Sequence, residues 1–355
     1  MMPTPPYAEV GTTAEAVDAR GYLGVDRYIA SLTGARALRT AFELGLIDRL
    51  LRDRLVKVDS IGRALAVDDR GLALLLGLLE ANGVIERHDD AVALQPEFLE
   101  ALRYRELMEV KLDFAGFAMV DFAELLTVLV KDPAAFRQRS RLFQLFDYAR
   151  CFDATLESYV RAKRWMRLTT ILTRYEAAAC LGACDLGAHR RLLDVGGNSG
   201  EFALQVCRRY PALSAAVIDL PLVCEIGLEH VLAHAERDRV AFIKADFRHE
   251  PIPPGYDLIS FKSMLHDWPD KDALGFLGKA VASLSPGGTV LIFERKTLPA
   301  APLGFSDLPV LLFGSFYRDA GLYTAELRRL GMTEVRSIEL GLDTPFMLIS
   351  ARKSP

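Results

Sequence analysis

The sequence predicts an α/β protein in which a mainly helical winged-helix domain precedes a Rossmann-like, doubly wound sheet. Three observations predict this fold class. After residue 188, short apolar runs such as RRLLDV and SAAVIDL alternate with helical segments, as in a mostly parallel sheet covered by helices. The first of these runs ends in a glycine-rich turn, DVGGNSG. Before that point, apolar residues recur at three- and four-residue steps, which is the helical period.

The chain has 355 residues, more than one hydrophobic core usually holds, so we expect two domains, 1–185 and 186–355. It is 51% hydrophobic and 25% charged with a formal net charge of −4, and therefore has no electrostatic bias toward nucleic acid or an anionic membrane. No apolar run approaches the length of a membrane span, and the first residues do not read as a leader. We expect a cytoplasmic protein.

The cysteine pattern argues against a disulfide framework and a structural zinc site. The five cysteines are an odd number and form no C-x-x-C pair. Free cysteines usually behave as small buried apolar residues, so we expect no metal.

The first elements are helical. Apolar residues from Tyr28 to Leu51 follow the helical period. The segment SIGRALAV, a longer helix ended by Gly83 and a hairpin turning at residues 88–90 then outline a winged helix.

A winged helix raises a second class of function, that of a DNA-binding regulator. Its second helix begins with Asp68 and Asp69, continues with an apolar body over residues 72–79, and offers only Arg70 to a phosphate backbone. DNA-binding helices present a basic face, so this composition disfavours DNA binding. Burial, in the domain or in a subunit interface, explains the apolar body better.

The segment from residue 101 to 185 is helical in spacing and carries many aromatic residues. Aromatic stripes are usually core, but these residues are also candidates for lining an apolar pocket. They are Phe114, Phe117, Phe122, Phe143, Phe146, Phe152 and Trp165.

The turn DVGGNSG begins the second half and indicates a nucleotide-like cofactor. Glycines there let the backbone approach a ligand closely, and Asn198 tolerates a positive φ. Asp219 ends the next predicted strand, where a carboxylate can bind both ribose hydroxyls of an adenosine. A nicotinamide dinucleotide and S-adenosylmethionine both suit this pair. Asp194, immediately before the glycines, would repel a pyrophosphate but suits an ammonium group, which favours S-adenosylmethionine.

The stretch FKSMLHDWPD follows another apolar run and places His266 at a predicted strand end. Ligands bind beyond the carboxyl ends of such strands, so this histidine is either an ordinary loop residue or a candidate for acid–base chemistry.

An ordered set of segments carries a family resemblance: DVGGNSG, IDLP, ADF, FKSMLHDWPD, LSPGG and LIFE. In this order and spacing, they resemble class I S-adenosylmethionine-dependent O-methyltransferases of the plant caffeate/hydroxyneurosporene type. The N-terminal helices also resemble that family's dimerisation domain, so the resemblance covers most of the chain. It implies a homodimer whose first domain covers the substrate.

The resemblance assigns roles to named positions. It implies that His266 is the general base and that Glu294 orients it. The cofactor site implied by the residues and the resemblance together comprises Asp194, Gly196, Gly200, Asp219, Leu220, Asp246, Phe247, Lys262 and Trp268. Of these, Asp219 would bind the ribose, and Asp246 with Phe247 would meet the adenine.

The substrate site implied by the resemblance comprises Met166, Asp267 and Tyr317, and here the sequence departs from the plant enzymes. Many plant members have a second glutamate where this chain has Tyr317, and their substrate-gripping segment corresponds to YVRAK, residues 159–163. Met166 could replace that segment's methionine. Monolignol substrates are therefore not expected.

These observations predict an O-methyltransferase that acts on a hydroxyl, phenolic or enolic, of a small secondary metabolite. The partners expected are that acceptor, S-adenosyl-L-methionine and a second copy of the chain, with neither nucleic acid nor membrane. A C-methyltransferase, or a relative that binds the cofactor without methylating, remains an alternative, as does the regulator.

Overall fold

The computed structural model describes residues 20–297 and 317–355. Its first part is helical around a small antiparallel sheet of order β1-β3-β2. The strands are β1 (Leu55–Lys57), β2 (Ile85–His88) and β3 (Ala91–Leu94). A 3-10 helix, Gly21–Tyr28, precedes α1 (Leu32–Glu43), α2 (Leu46–Asp53), α3 (Val58–Leu65), α4 (Asp69–Ala81), α5 (Pro96–Ala101), α6 (Arg105–Lys131), α7 (Pro133–Arg139), α8 (Arg141–Leu145) and α9 (Leu156–Ala183).

The helical period from Tyr28 to Leu51 does not form one helix. Ser31 caps α1 by accepting a hydrogen bond from the backbone N–H of Gly34 at 3.0 Å. The chain then turns at Gly45, whose φ is +72°, a left-handed conformation that glycine adopts at little cost. The apolar period therefore continues across a break between α1 and α2.

The predicted winged helix is confirmed in outline. Helices α3 and α4 precede the β2–β3 hairpin, and Gly83 has a φ of +69° just beyond the end of α4. The Asp68 carboxylate caps α4 by accepting hydrogen bonds from the N–H groups of Arg70 and Gly71. Four leucines of α4 are buried within the same half of the chain, namely Leu72, Leu75, Leu76 and Leu79, whereas Leu74 is exposed. The apolar body of α4 is thus explained largely by the chain's own core.

The second half is a seven-stranded sheet of order β6-β5-β4-β7-β8-β10-β9. Its strands are β4 (Arg191–Val195), β5 (Ser214–Asp219), β6 (Val240–Lys244), β7 (Leu258–Lys262), β8 (Thr289–Arg295), β9 (Thr333–Gly341) and β10 (Pro345–Arg352). The five strands β4 to β8 are parallel to one another, and β10 is antiparallel to its neighbours β8 and β9. The predicted doubly wound, mostly parallel sheet is confirmed.

Helices cover both faces of this sheet: α10 (Glu201–Arg209), α11 (Pro221–Leu232), α12 (Asp270–Ser283) and α13 (Ala320–Arg329). Side chains alternate between the faces of a strand, so the neighbours Leu258 and Ile259 of β7 enter two different core clusters. The strand order reverses between β4 and β7, which opens a crevice at their carboxyl ends.

The long helix α9 connects the two halves. It contacts α6 on the helical side and α10 and α11 on the sheet side. The predicted boundary at residues 185 and 186 falls between the end of α9 and the start of β4. Among the helices described, none is long and apolar enough to cross a membrane.

Candidate active site

Two adjoining cavities open at the carboxyl ends of the central strands. We call the first, of about 170 Å³, the strand-end cavity, because Asp194, Asp219 and Lys262 line it. We call the second, of about 140 Å³, the helix-side cavity, because Lys111 and Phe114 of α6 line it. Both share the residues Tyr148, Thr169, Leu172, Ser263, His266, Asp267 and Arg295.

The glycine-rich turn after β4 forms one wall of the strand-end cavity. Gly196 and Asn198 have φ values of +65° and +57°, which only glycine and a few other residues adopt readily. A Cβ atom at Gly197 would lie against the carboxylate of Asp194. Gly200 lies behind the turn, where a Cβ atom would be 3.1 Å from the Phe242 ring, and it does not line the cavity. The structure therefore gives Gly200 a packing position instead of the predicted ligand contact.

The Asp194 carboxylate is fully buried at the end of β4. Its Oδ1 accepts a hydrogen bond from the Ser260 hydroxyl at 2.6 Å, while Oδ2 has no partner among the described residues. Burial raises the pKa of Asp194 to about 7. A buried carboxylate oxygen without a partner is costly, and a ligand cation would satisfy it.

Asp219 ends β5 and is held by backbone groups. Its Oδ2 accepts from the N–H of Asn198 at 2.9 Å, and its Oδ1 accepts from the N–H of Leu220 at 2.7 Å. Burial raises the pKa of Asp219 to about 6. Asp219 and Leu220 both line the strand-end cavity, and each carboxylate oxygen can still accept another hydrogen bond.

Asp246, Phe247 and Trp268 also line the strand-end cavity. Arg248, which the sequence analysis missed, donates to Asp246 through Nε at 2.7 Å and Nη2 at 2.6 Å. The same guanidinium lies 5.4 Å from the centre of the Trp268 ring. Phe247 and Trp268 both pack edge-on against Phe276. These contacts make one end of the cavity aromatic, with a fixed carboxylate beside it.

Lys262 lines the cavity at the end of β7, but it is already paired. It donates to Glu176 of α9 and, at 2.9 Å, to the Thr173 hydroxyl. Glu176 also accepts from Arg295 Nη2 at 2.5 Å. Burial raises the pKa of Glu176, but the two cations overcome this effect and hold it at about 2. The sequence analysis missed both Glu176 and Arg295.

His266 lies in a single 3-10 turn, Leu265–Asp267, directly after β7. Its Nδ1 is 2.7 Å from Glu294 Oε2. The other oxygen of Glu294 accepts from the N–H groups of Met264 and Leu265, each at 2.7 Å. One buried carboxylate thus fixes both the turn and the imidazole that the turn carries. The orienting role of Glu294 in catalysis stays a prediction.

The electrostatic surroundings of His266 favour its protonated form. Burial lowers the pKa of the imidazole, but Glu294 and then Asp267 raise it, and the net shift is upward. The ring of Tyr317 stacks on the imidazole with 4.7 Å between centroids and 19° between planes. Tyr317 therefore contacts the histidine face to face, in the place where many plant relatives have a glutamate.

Asp267 lies at the junction of the two cavities. Its Oδ2 accepts a hydrogen bond from the Tyr148 hydroxyl at 3.0 Å, and its Oδ1 is 3.6 Å from Nε2 of His266. Burial raises the pKa of Asp267. Tyr148 comes from a 3-10 helix, Tyr148–Phe152, that the sequence analysis did not single out.

Hydrogen bonds join the residues on either side of 298–316 to each other and to the turn that carries His266. Arg318 donates to the carbonyl of Leu265 at 3.0 Å and to that of Trp268. The Thr297 hydroxyl donates to the Asp319 carboxylate at 2.9 Å. The residues that flank this segment are thereby held together beside the turn that carries His266.

The substrate-gripping positions expected on α9 lie elsewhere. Met166 is buried against Leu220 and Val223, and it lines neither cavity. Tyr159 and Lys163 both bind Glu229 at the surface. The substrate contact of Met166 stays a prediction, although α9 turns this side chain toward α11. Thr169, one turn later, lines both cavities instead.

The aromatic residues divide between core and cavity. Phe114 and Phe146 line the helix-side cavity, and Trp165 lines the strand-end cavity. Phe122 and Phe143 pack in a core cluster, while Phe152 is exposed.

The helix-side cavity also contains a charged cluster, Asp26, Lys111 and Asp343. Asp26 belongs to the first 3-10 helix, Lys111 to α6, and Asp343 to the turn between β9 and β10. Lys111 donates to Asp26 and lies 3.6 Å from Asp343. Nothing in the sequence marked these three residues as neighbours.

One group within the described ranges has the side chains of a metal site. The ligand atoms of Glu201, His230 and His234 lie within 4.8 Å of one another, away from both cavities. Glu201 already accepts from Gln205 at 2.8 Å, bonds His230 at 2.7 Å and lies 3.7 Å from Arg174. Its polar contacts are those of an ion pair between α10 and α11.

Comparison with known proteins identifies the chain. A family model described as an O-methyltransferase domain matches residues 130–308. The chain belongs to this O-methyltransferase family. This confirms the resemblance predicted from the ordered motifs, and with it the methyltransferase class and the S-adenosylmethionine cofactor that the resemblance implies.

Two relatives illustrate the similarity. A 3-hydroxy-5-methyl-1-naphthoate 3-O-methyltransferase of Streptomyces sahachiroi is 36% identical over 49% of this chain and 52% of its own length. The chain thus spans about half of that relative. A mitomycin biosynthesis 6-O-methyltransferase of Streptomyces lavendulae is 26% identical over 90% of this chain and 91% of its own length.

The fold has a counterpart among solved structures. The structure of PigF with SAH superposes with a TM-score of 0.72 and 22% identity, covering 96% of this chain and 100% of that chain. The overall fold of this O-methyltransferase is therefore that of its structural neighbour, and the predicted fold class is confirmed.

Proposed function

We propose that this O-methyltransferase moves a methyl group from S-adenosylmethionine to a phenolic hydroxyl of a small secondary metabolite, with His266 as general base. One observation carries the proposal. His266 is held through Nδ1 by Glu294 and lies where the strand-end and helix-side cavities meet. A base in this place can reach a hydroxyl in one cavity while a methyl donor occupies the other.

The strand-end cavity fits S-adenosylmethionine. Asp194 Oδ2, buried and without a partner, suits the ammonium group, and the glycine turn beside it leaves space that a side chain would fill. Asp219 would accept from the ribose hydroxyls, and Asp246, Phe247 and Trp268 would contact the adenine. When bound, the cofactor supplies an activated methyl group on a sulfonium.

The chain's own residues supply orientation and a proton acceptor. With Glu294 ionised, the imidazole donates through Nδ1–H, and Nε2 is left with a lone pair. Nε2 can then accept the proton of the acceptor hydroxyl as the oxygen gains a methyl group. Glu294 stabilises the resulting imidazolium, as a buried carboxylate does for catalytic histidines in other enzymes.

The helix-side cavity suits a flat, largely apolar acceptor. Phe114, Phe146, Leu168 and Leu172 give it apolar walls, and Tyr317 covers one face of the imidazole. The Streptomyces sahachiroi relative is named for a naphthoate, which is a flat bicyclic aromatic compound. We infer an aromatic acceptor of similar shape.

We also propose that the protein is a homodimer in the cytoplasm. Large apolar side chains on α6 and α9 are exposed, with Val130 77% and Leu156 78% accessible in the isolated chain. A second copy would cover such residues. Light scattering of the full chain at micromolar concentration should give twice the mass of 39.3 kDa. A monomer at that concentration would contradict the proposal.

The decisive experiment uses S-adenosylmethionine with a deuterated methyl group and a panel of phenolic and polyketide acceptors, with products detected by mass. We expect a labelled methyl on oxygen, which cleavage with boron tribromide removes, whereas a methyl on carbon survives it. Binding of the cofactor without any labelled product would favour a non-methylating relative.

A further inference from the structure

The charge of the helix-side cavity limits which acceptors it can hold, and this inference rests on the proposed function. Three carboxylates line the cavity, those of Asp26, Asp267 and Asp343, against the two cations Lys111 and Arg295. With His266 neutral, as a base must be, and with the three carboxylates ionised, the described lining has one more negative than positive charge. An acceptor that adds a further negative charge would enter an unfavourable field.

Both cations are already paired with carboxylates. Lys111 donates to Asp26 and lies 3.6 Å from Asp343 Oδ2. Arg295 donates to Glu176 at 2.5 Å. A carboxylate on the acceptor would therefore compete with partners that the chain itself provides.

The charged cluster Asp26, Lys111 and Asp343 offers both kinds of hydrogen-bonding partner. Asp343 Oδ1 accepts from the N–H of Thr344 at 2.9 Å, and its Oδ2 faces Lys111. The ammonium group has three donors, and the carboxylates keep free lone pairs. Buried charges of this kind are costly. In a cavity they can bind a polar group of a ligand, which they could not do in a packed core.

The Asp26 carboxylate is largely buried beside both Lys111 and Asp343. Burial raises its pKa, Lys111 lowers it, and Asp343 raises it again, with a net upward shift. Another anion nearby would oppose ionisation of Asp26 further.

We propose that the cluster of Asp26, Lys111 and Asp343 binds a second, uncharged polar group of the acceptor, one that both donates and accepts hydrogen bonds. A hydroxyl or a primary carboxamide has this chemistry. A free carboxylate does not, because it only accepts and adds charge. The chain would thereby differ from the Streptomyces sahachiroi relative, whose name specifies a naphthoate.

The test is a binding measurement with matched probes. Hydroxynaphthoate and the corresponding hydroxynaphthamide are titrated by calorimetry into the full-length protein saturated with S-adenosylhomocysteine. We expect the carboxamide to bind at least about tenfold more tightly, since like charges brought together in a cavity are strongly unfavourable. Equal affinities, tighter binding of the carboxylate, or no binding of either probe would each overturn the proposal.

Two variants test whether the charged cluster causes the difference between the two affinities. Asp343→Asn removes one negative charge and should narrow the ratio of the two affinities by about threefold or more. Asp238→Asn makes the same chemical change at a side chain that is 91% accessible, and it should leave the ratio unchanged. If both variants shift the ratio alike, the cluster is not its source. Cofactor affinity, measured in parallel, reports whether each variant is folded.

Methyl transfer is measured separately on the same probes with S-adenosylmethionine. If the carboxamide binds preferentially but is never methylated, the proposed function fails while the acceptor preference stands. If both probes are methylated and the carboxylate binds more tightly, the proposed function stands and the acceptor preference fails.

Discussion

The strand-end and helix-side cavities lie side by side, yet the chain builds them differently. The polar groups of the first, such as Asp194, Asp219 and Lys262, each follow or end a strand of one sheet. The second draws Asp26, Lys111 and Asp343 from three elements far apart in sequence. A cofactor site can therefore be read from local motifs, whereas an acceptor site depends on how the two halves of the chain pack together.

Replacing His266 should separate the functions of the two cavities most strongly. His266→Ala should lower turnover by about two to four orders of magnitude, the range for a positioned general base. Affinity for S-adenosylmethionine should change little, because we propose that the imidazole contacts the acceptor. The defect should shrink toward pH 10, where a phenol of pKa about 10 ionises unaided. His88→Ala, in the exposed hairpin, is the control. Near-parental turnover at neutral pH would exclude this base.

Glu294→Gln should have a smaller effect of the same kind and also move the pH profile. A hydrogen bond to a charged group contributes roughly 1.5–3 kcal/mol, or about tenfold to a hundredfold in rate. Glu294 raises the pKa of His266, so the parent's activity should rise with pH through a value above the usual 6.5. In the variant, this rise should occur at lower pH. An unchanged profile of kcat/KM against pH would show that another group titrates.

Asp219→Ala should affect cofactor binding in the strand-end cavity. Losing the ribose acceptor should weaken S-adenosylmethionine binding by about tenfold to a hundredfold, the effect expected for a charge-assisted hydrogen bond. The rate at saturating cofactor should fall much less. Calorimetry measures the affinity, and the exposed Asp238→Ala is the matched control. Unchanged affinity would remove Asp219 from the cofactor site.

Asp194→Asn should have the smallest effect. It should make the folded protein less sensitive to rising pH, yet weaken cofactor binding. The pKa of Asp194 is about 7 in the folded protein against about 3.9 in an unfolded chain. The stability that protonated Asp194 contributes is therefore fully present below its pKa in the unfolded chain and is lost as the pH rises through about 7. The cofactor-free variant should lose less stability than the parent between about pH 5 and pH 8, yet bind the cofactor more weakly. Urea unfolding at both pH values measures the first effect, and parallel slopes for the two proteins would contradict it.

Much of the strand-end cavity could be predicted from the sequence because its residues sit at fixed offsets from strand ends. The turn after β4, Asp219 and the His266 motif are found this way. Gly200 and Met166 lie outside the cavity linings, which the sequence could not show, since a motif does not specify which side of a turn or helix faces a ligand. Arg248 was missed because its role depends on Asp246 and on the ring of Trp268, which its own neighbours do not reveal.

Other residues that the sequence did not reveal are buried charges whose partners lie far along the chain. Glu176 and Lys111 are charged residues with another charge two positions before them, Arg174 and Glu109. Such residues are either at the surface or buried with a partner, and the partners Arg295 and Asp343 come from the sheet half. Periodicity within one helix cannot reveal a pair formed across two domains.

The contacts that close residues 298–316 at their two ends have an evolutionary consequence. Thr297 binds Asp319, and Arg318 holds the carbonyls of Leu265 and Trp268, so the turn that carries His266 is anchored from outside the segment. A stretch of chain fixed at both ends can change in length at little entropic cost. Lineages that keep His266 are therefore expected to keep Thr297, Arg318 and Asp319, because these flanking residues anchor the turn that carries it.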